Sequence, residues 1–444
     1  MSSSQPFKPH NIWYISKYAN APLFGTPTRQ FFFTKYMVKK GRKAILISSR
    51  SSHSSNYEQL PVIGFKNEYY YNCEGVNGVM LNGAHIKYGF NLKRIFSWLV
   101  FELRLLYWSF FKAKEKPDVI IASSLSILTF LSGTLLKKRY KCKLIVEVRD
   151  IWPLTIIESK KWSSKSLFIR FLSFVERTGY KHADAIVGTM PNLKEHVKEV
   201  APSCAGKVHY IPMGYDHEFT YHFNGNDPYE AFFSDIRDRN FIVGYAGTIG
   251  HANCVDQIIE AAKLLKDENI VFAILGGGPL KEKIVEQAKE AGLSKVHFFD
   301  KATKEMVGTF LKHPDLLVNP WMGNTSIYRY GVSPNKWIDY MHSSKPILVA
   351  LNGYYCIINE AGCGKFIEAD NPALMAKEIL NFSKTDRIEL KRMGENGKKF
   401  LVENLTYDVL ADKYLGIIDA LYTRDNPTGK DIHQTTLQSE NSAL

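Results

Sequence analysis

Short β-branched and aliphatic runs recur along the whole chain. Each is followed by a stretch whose apolar residues return every three or four positions, the pattern of parallel strands joined by crossover helices. In the first half the strand runs are 11–16, 44–48, 119–122, 144–148 and 185–187, with helices expected over 28–40 and 166–181. A polar stretch holding Asn224, Gly225, Asn226, Asp227 and Pro228 interrupts the pattern, and the same alternation then restarts. It predicts strands at 241–246, 271–275, 296–298, 316–319 and 346–350, and helices at 255–266, 280–291 and 333–343. The fold class that follows is α/β, with two Rossmann-like domains whose parallel sheets face each other across a cleft. The expected boundaries are 1–217, 218–405, a helix over 406–422 able to cross back to the first domain, and a polar, aperiodic tail over 423–444 that is not expected to fold.

Length supports the doubling, because the chain has 444 residues and single cores rarely grow past about 250 to 300 residues. No run of about 18 uncharged apolar residues occurs, and the first residues lack the basic and apolar parts of a signal peptide. A cytoplasmic protein is expected. The six cysteines are scattered without a Cys-x-x-Cys pair, so buried free thiols are expected rather than a zinc site or disulfides. The formal charge of +13 is unevenly placed: residues 87–181 carry 19 Lys plus Arg against 7 Asp plus Glu. Inside that segment lies 96–111, rich in aromatics, with Glu102 and Arg104 at its centre and Lys93, Arg94, Lys112, Lys114 and Lys116 around it. A helix lying in an anionic membrane interface fits this composition, and a helix buried between sheet and solvent is the alternative. Nucleic acid is not expected, since no nucleic-acid-binding module accompanies the charge.

The candidate chemistry gathers at the carboxyl ends of the expected strands, where open α/β sheets hold their ligands. In 330–341, Ser333 reads as an N-cap and Pro334 as the first helical residue, so the helix is expected to open at Ser333. Its free amides and positive dipole end would receive an anion. Lys336 and Asp339, three residues apart, fall on one side of that helix. A capped surface helix with an incidental Lys and Asp is the plain alternative. Gly244, Gly247 and Gly250, with Thr248, sit at one strand end, and Gly276, Gly277 and Gly278 at another. Small residues there allow phosphates to approach the backbone, although structural turns would use glycine too. Neither the spacing of a dinucleotide fingerprint nor a P-loop is present. Gly25 and Arg29 close the loop after the first strand, which would bring an arginine to the cleft. Glu147-Val-Arg149-Asp150-Ile-Trp-Pro153 places three charges at the end of an apolar strand, where burial is costly unless the charges are paired or used. Asp150 and Glu147 are therefore candidate catalytic carboxylates, with a Glu147–Arg149 ion pair as the competing reading.

These stretches, together with 117–124 and Lys345-Pro346, resemble the family 4 glycosyltransferases of the GT-B fold over about 400 positions. The resemblance is in particular to those of bacterial O-antigen and capsule assembly that include the N-acetyl-L-fucosaminyl transferases. The resemblance implies retaining transfer of a sugar from a nucleotide diphosphate donor, a UDP-sugar being favoured, without a metal or other cofactor. It implies that the C-terminal domain holds the donor and the N-terminal domain a saccharide acceptor; the basic aromatic stretch at 96–111 suits a polyprenyl-diphosphate-linked acceptor, with attachment at the inner face of the cytoplasmic membrane. Ser333, Asn335 and Lys336 would then meet the diphosphate, with Gly247, Thr248, Gly277 and Gly278 beside it, and Asp339 would bind ribose hydroxyls. The chain departs from the pattern at two places. The family has a glutamate where this chain has Asp339 and another eight residues earlier, where Gly331 stands. The basic residues that many members carry after the strand at 241–246 are replaced by Ile-Gly-His-Ala-Asn. Lys336, with Arg29 or Arg149, would have to neutralise the phosphates. A GT-B sugar-nucleotide 2-epimerase and a non-catalytic partner subunit are the rival readings.

Overall fold

The computed structural model describes residues 11–50, 68–83, 92–218, 225–323, 325–354 and 357–423. Two sheets organise the chain. The first runs β1 (Asn11–Ile15), β2 (Lys43–Ser49), β3 (Glu68–Cys73), β4 (Val76–Leu81), β5 (Val119–Ser123), β6 (Lys143–Val148), β7 (Ala185–Gly188) and β8 (Val208–Tyr210). Their spatial order is β3-β4-β2-β1-β5-β6-β7-β8. The second holds β9 (Phe241–Ala246), β10 (Ile270–Leu275), β11 (Val296–Phe299), β12 (Leu316–Pro320), β13 (Ile347–Ala350) and β14 (Gly364–Ile367), in the order β11-β10-β9-β12-β13-β14. All named pairings are parallel except the β3–β4 hairpin. Central strands such as β1, β5 and β10 are buried throughout, as expected where helices cover both faces of a parallel sheet.

Each sheet has a core on either face. One face of the first sheet packs against the helices Leu92–Phe111, Thr129–Tyr140 and Leu167–His182. The other packs against Arg29–Lys39 and the C-terminal helix Tyr407–Thr423. That last helix buries Tyr407, Leu410, Ala411, Tyr414, Leu415, Ile418 and Leu421, the spacing of one apolar stripe. Tyr407 stacks on Phe32 with centroids 4.9 Å apart, and Tyr414 meets Phe33 at 5.2 Å. The end of the chain thus completes the core of its beginning.

The Leu92–Phe111 helix packs one face on the first sheet, as the buried-helix reading expected, and leaves the other bare. Trp98, Phe101, Leu105 and Trp108 are buried, while Phe96, Leu103 and Phe111 are 65%, 68% and 72% exposed. Glu102 faces inward and accepts hydrogen bonds from the hydroxyls of Ser126, Thr129 and Ser132. Among the described residues no helix is long and apolar enough to cross a membrane. Cys73, Cys142, Cys204 and Cys363 are buried free thiols and Cys254 is half-buried; Cys356 and the tail beyond Thr423 lie outside the described residues.

Four strands carry no clear signal. The β3–β4 hairpin is tyrosine-rich and half-exposed along β3, β8 is three residues long, and β14 opens with Gly364 and Lys365. One boundary needs correction: the helix expected to open at Ser333 begins at Asn335, with Pro334 as its N-cap. The Ser333 hydroxyl is engaged elsewhere, accepting from the Met213 amide at 2.9 Å.

Tyr414 is fully buried against Tyr14 and Phe33. Tyr414→Ala should cost about 3–5 kcal/mol, the usual range for truncating a buried aromatic. Urea unfolding followed by tryptophan emission should show the loss as an earlier transition; an unchanged midpoint would show that the helix is dispensable to the first sheet.

Candidate active site

The second sheet ends in two glycine loops that nest against each other. Gly247 N–H donates to Leu275 O at 3.0 Å and Ile249 N–H to Gly277 O at 3.0 Å. Gly276 and Gly278 both have φ +154°, and a Cβ at either would lie 1.9 Å from Gly247 O or 2.3 Å from Ile249 O. Only glycine allows this approach. Gly276 and Gly278 thus serve loop nesting, and a Cβ on Gly277 would meet Lys301 at 3.3 Å.

Gly247 has a different neighbour. A Cβ there would stand 2.9 Å from Lys336 Cε and 3.1 Å from Lys336 Nζ, so the missing side chain is the slot that Lys336 occupies. Lys336 Nζ donates to Tyr245 OH at 3.2 Å and Asn253 Oδ1 at 3.0 Å, and lies 4.6 Å from the Tyr245 ring centroid. Tyr245 donates its own proton to Thr248 O at 2.8 Å, leaving lone pairs to accept from the lysine. Tyr340 anchors the same strand end: its hydroxyl accepts from Ala246 N–H at 2.9 Å and donates to Ala246 O at 3.2 Å. No carboxylate pairs with Lys336 among the described residues, and burial pulls its pKa down to about 7.

Lys336 stands in the first turn of Asn335–His342, whose leading amides have no intrahelical partner. Asn335 is exposed beside it, as is Thr248 at the glycine loop. A cation, free amides and a helix dipole converge there, which is an anion site in chemical terms. Asp339, on the same helix, forms an ion pair with Lys304, so any hydroxyl it accepts would share the carboxylate.

Gly331 explains its own departure from the family pattern. Its φ is +87°, and a Cβ would lie 2.5 Å from Pro191, so this close contact with the first domain leaves no space for a glutamate. The segment before it is docked on the same surface. Tyr330 OH donates to Glu199 at 2.7 Å, Arg329 pairs with Glu199 at 2.9 Å, and Ile327 N–H donates to Glu158 at 3.1 Å.

On the first-domain side, two expectations are corrected. Arg29 is the first residue of its helix rather than a cleft-facing loop arginine, and Glu147 is not a second cleft carboxylate. Both side chains are 0% exposed and pair at 3.0 Å. Glu147 also accepts from Tyr14 OH at 2.8 Å and Ser123 Oγ at 2.6 Å. Arg29 donates onward to Pro212 O at 2.6 Å and Ile211 O at 3.2 Å. A buried charge needs such pairing and hydrogen bonding, and Arg29 supplies it, whereas the competing reading had named Arg149 as the partner. Gly25, at φ +127°, turns the chain from the short helix Pro22–Phe24 toward Arg29. Asp150 does lie open to solvent at the carboxyl end of β6, followed by the cis peptide Trp152–Pro153. Protein crowds its other sides, and that burial raises its carboxyl above the ordinary range against the pull of Arg149 and Arg94.

The structure therefore brings Gly247, Thr248, Asn335 and Lys336 together, with Ser333 tied to the interdomain crossing and Arg29 and Glu147 withdrawn into the core. Tyr245, Asn253 and Tyr340 complete the lysine's setting. Their sequence signal is slight: only the adjacency of Tyr245 and Asn253 to the glycines hints at it.

Comparison with known proteins is consistent in both halves. Residues 33–219 match the family described as Glycosyltransferase Family 4, and residues 228–400 match Glycosyl transferases group 1. A protein of Pseudomonas aeruginosa named probable glycosyltransferase WbjE is 22% identical over 347 residues, 74% of this chain and 80% of that one. An Escherichia coli K12 protein whose name describes a colanic acid biosynthesis glycosyl transferase, WcaI, is 35% identical over 81 residues, 18% of this chain and only 20% of the relative's length. Among solved structures, sucrose-phosphate synthase from Thermosynechococcus elongatus superposes with a TM-score of 0.71 at 13% identity, covering 94% of this chain and 100% of the other. Anabaena HepE, solved with UDP and glucose, gives 0.63 at 11% identity over 93% and 100%. At these identities the structures establish the fold, which is GT-B.

Because burial holds Lys336 near neutrality, a diphosphate arriving there must find or supply its proton. The bound anion raises the lysine's pKa, so affinity is full below about pH 7 and falls toward tenfold per unit as pH climbs above it. Calorimetry with UDP between pH 7 and 9 should show this fall together with proton uptake. A Lys336→Arg variant, charged throughout, should be flat; a flat profile in the unaltered protein would place the nucleotide away from Lys336.

Proposed function

We propose, on the premise that this chain is a GT-B glycosyltransferase pairing a Family 4 domain with a group 1 domain, that it transfers a sugar with retention from a UDP-sugar to a lipid-linked saccharide in surface polysaccharide assembly. The observation that carries the reading is the ammonium of Lys336 in the Gly247 slot, set at a helix N-terminus and hydrogen-bonded to neutral oxygens, with no carboxylate paired to it among the described residues. When the C1–O bond to the donor's β-phosphate breaks, negative charge grows on the leaving diphosphate and the sugar becomes oxocarbenium-like. Oriented amides and one lysine at that phosphate are then worth most in the transition state. The acceptor hydroxyl forms its bond to C1 from the side the phosphate leaves, and its proton passes to the departing phosphate oxygen. Asp150, exposed at the end of β6 in the first domain, would orient that hydroxyl. The names of WbjE and WcaI support transfer in polysaccharide assembly, and HepE's bound UDP supports the donor class.

Lys336→Ala should lower kcat by roughly 10²- to 10³-fold, the usual loss on removing one such donor, and Asp150→Asn should lower transfer with little change in UDP affinity. Near-normal transfer by both variants in folded form would contradict the assignment. The exposed Phe96, Leu103 and Phe111 on a basic segment support peripheral attachment to an anionic membrane. Vesicles containing anionic lipid should carry the protein upward in flotation at low salt, and Phe96→Ser with Leu103→Glu should leave it at the bottom. Failure of the unaltered protein to float would remove the attachment.

A further inference from the structure

A second helix on the same face of the first sheet carries an exposed apolar stripe that the attachment above does not use. The helix Leu167–His182 buries Ile169, Leu172, Val175 and Tyr180 in the core it shares with Leu92–Phe111. Leu167, Phe171 and Phe174 point the other way and are 82%, 45% and 60% exposed. Spaced four and three residues apart, they form one ridge along the outer side of the helix. Single exposed apolar residues are ordinary, but a contiguous ridge marks a surface that meets something else.

The exposed charge on these helices has one sign. Leu92–Phe111, Thr129–Tyr140 and Leu167–His182 lie side by side on this face, and together they contain two acids, Glu102 and Glu176. Both are buried and held inward. Glu102 accepts from three hydroxyls, and Glu176 accepts from Tyr180 OH at 3.0 Å and lies 2.6 Å from His196 Nε2. Lys93, Lys138, Arg139, Arg170, Arg177 and Lys181 are exposed. Apolar residues set among exposed cations, with both acids turned inward, are the composition of helices lying in an anionic membrane interface. A second copy of this chain would bring cations against cations, and a polyanion without an apolar layer would leave Leu167 and Phe174 in water.

We infer that the outer face of Leu167–His182 is a second membrane-contact surface, lying in one plane with that of Leu92–Phe111, and that its partner is an anionic bilayer. The inference rests on the peripheral attachment proposed above and adds a second helix and an orientation. Thr129–Tyr140 packs between the two and reaches the surface through Leu135, which is 52% exposed. A plane touching both outer helices therefore runs along the face of the first sheet. Leu167–His182 leads into β7 and Leu92–Phe111 into β5, so their last turns lie toward the amino ends of the strands and their first turns toward the cleft. Phe96, Leu167 and Phe171 stand in those first turns. The apolar contact would thus sit beside the cleft, where a lipid-linked acceptor enters along the membrane surface.

Flotation of the full chain with vesicles of phosphatidylcholine and phosphatidylglycerol at low salt tests this. Phe171→Ser with Phe174→Glu should lower vesicle partitioning about tenfold or more, while Phe171→Leu with Phe174→Leu retains most of it. The urea unfolding midpoint should stay unchanged in both, because these side chains are exposed. Arg170→Gln with Arg177→Gln removes charge without touching the ridge, and should lower partitioning about tenfold or more and flatten its salt dependence. Equal flotation by the unaltered protein and by the Phe171→Ser, Phe174→Glu and Arg170→Gln, Arg177→Gln pairs would overturn the inference and leave attachment through Leu92–Phe111 standing. Loss with Phe171→Ser and Phe174→Glu, but not with Phe96→Ser and Leu103→Glu, would uphold this second surface and overturn the first. A dimer in sedimentation that is lost with Phe171→Ser and Phe174→Glu would give the ridge to a second copy and overturn the inference.

Discussion

The ammonium of Lys336 lies against a glycine, above a tyrosine ring, with hydroxyl and amide oxygens for company and no carboxylate paired to it among the described residues. That arrangement sets conditions on much of the second domain. Gly247 must lack a side chain, and its loop must stay where the lysine can reach it, which the backbone bonds to the Gly276–Gly278 loop ensure. Tyr245 must keep its lone pairs free, which its donation to Thr248 O allows. Tyr340 ties the strand end to the same helix that carries the lysine. A charge so placed is poorly solvated and, among the described residues, has no opposite charge beside it; binding an anion is the event that would stabilise it.

The two domains meet through contacts made by the segment that leads into the same helix. Ser333 receives the Met213 amide of the crossing segment, and that segment is in turn gripped by Arg29 through the carbonyls of Ile211 and Pro212. Arg29 is fixed by Glu147, which Tyr14 and Ser123 also hold. A chain of hydrogen bonds and one buried ion pair therefore runs from the first sheet to the lysine helix. Gly331 against Pro191, with Glu199 and Glu158 binding the preceding turn, fixes the angle at which the helix leaves the interface. The glutamate that the family resemblance led one to expect here is replaced by a domain contact at Gly331.

Most of the architecture was legible in the chain, because buried parallel strands are continuous apolar runs and their crossover helices keep a regular period. Strand β9 matches its expected bounds, and β5, β6 and β12 extend theirs by one residue. The edges were not legible: β3, β8 and β14 are short, polar or half-exposed, and they pair because neighbours present an open edge. At the site, Lys336 and Gly247 could be read from motif position, but not that one occupies the space the other leaves. Glu147 and Arg29 misled for a physical reason. Charges at strand ends can face the cleft or the core, and their partner lay 118 residues away in sequence, so only the fold decides. Ser333 misled similarly, since its hydroxyl satisfies a distant amide in place of the local cap.

A crystal structure of the full chain with UDP bound tests the central claim most directly. The account predicts the diphosphate over the amides of Asn335 and Lys336, with Lys336 Nζ within hydrogen-bond distance of a phosphate oxygen and the Gly247 loop alongside. A nucleotide seated elsewhere, with Lys336 still resting on Tyr245 and Asn253, would contradict it.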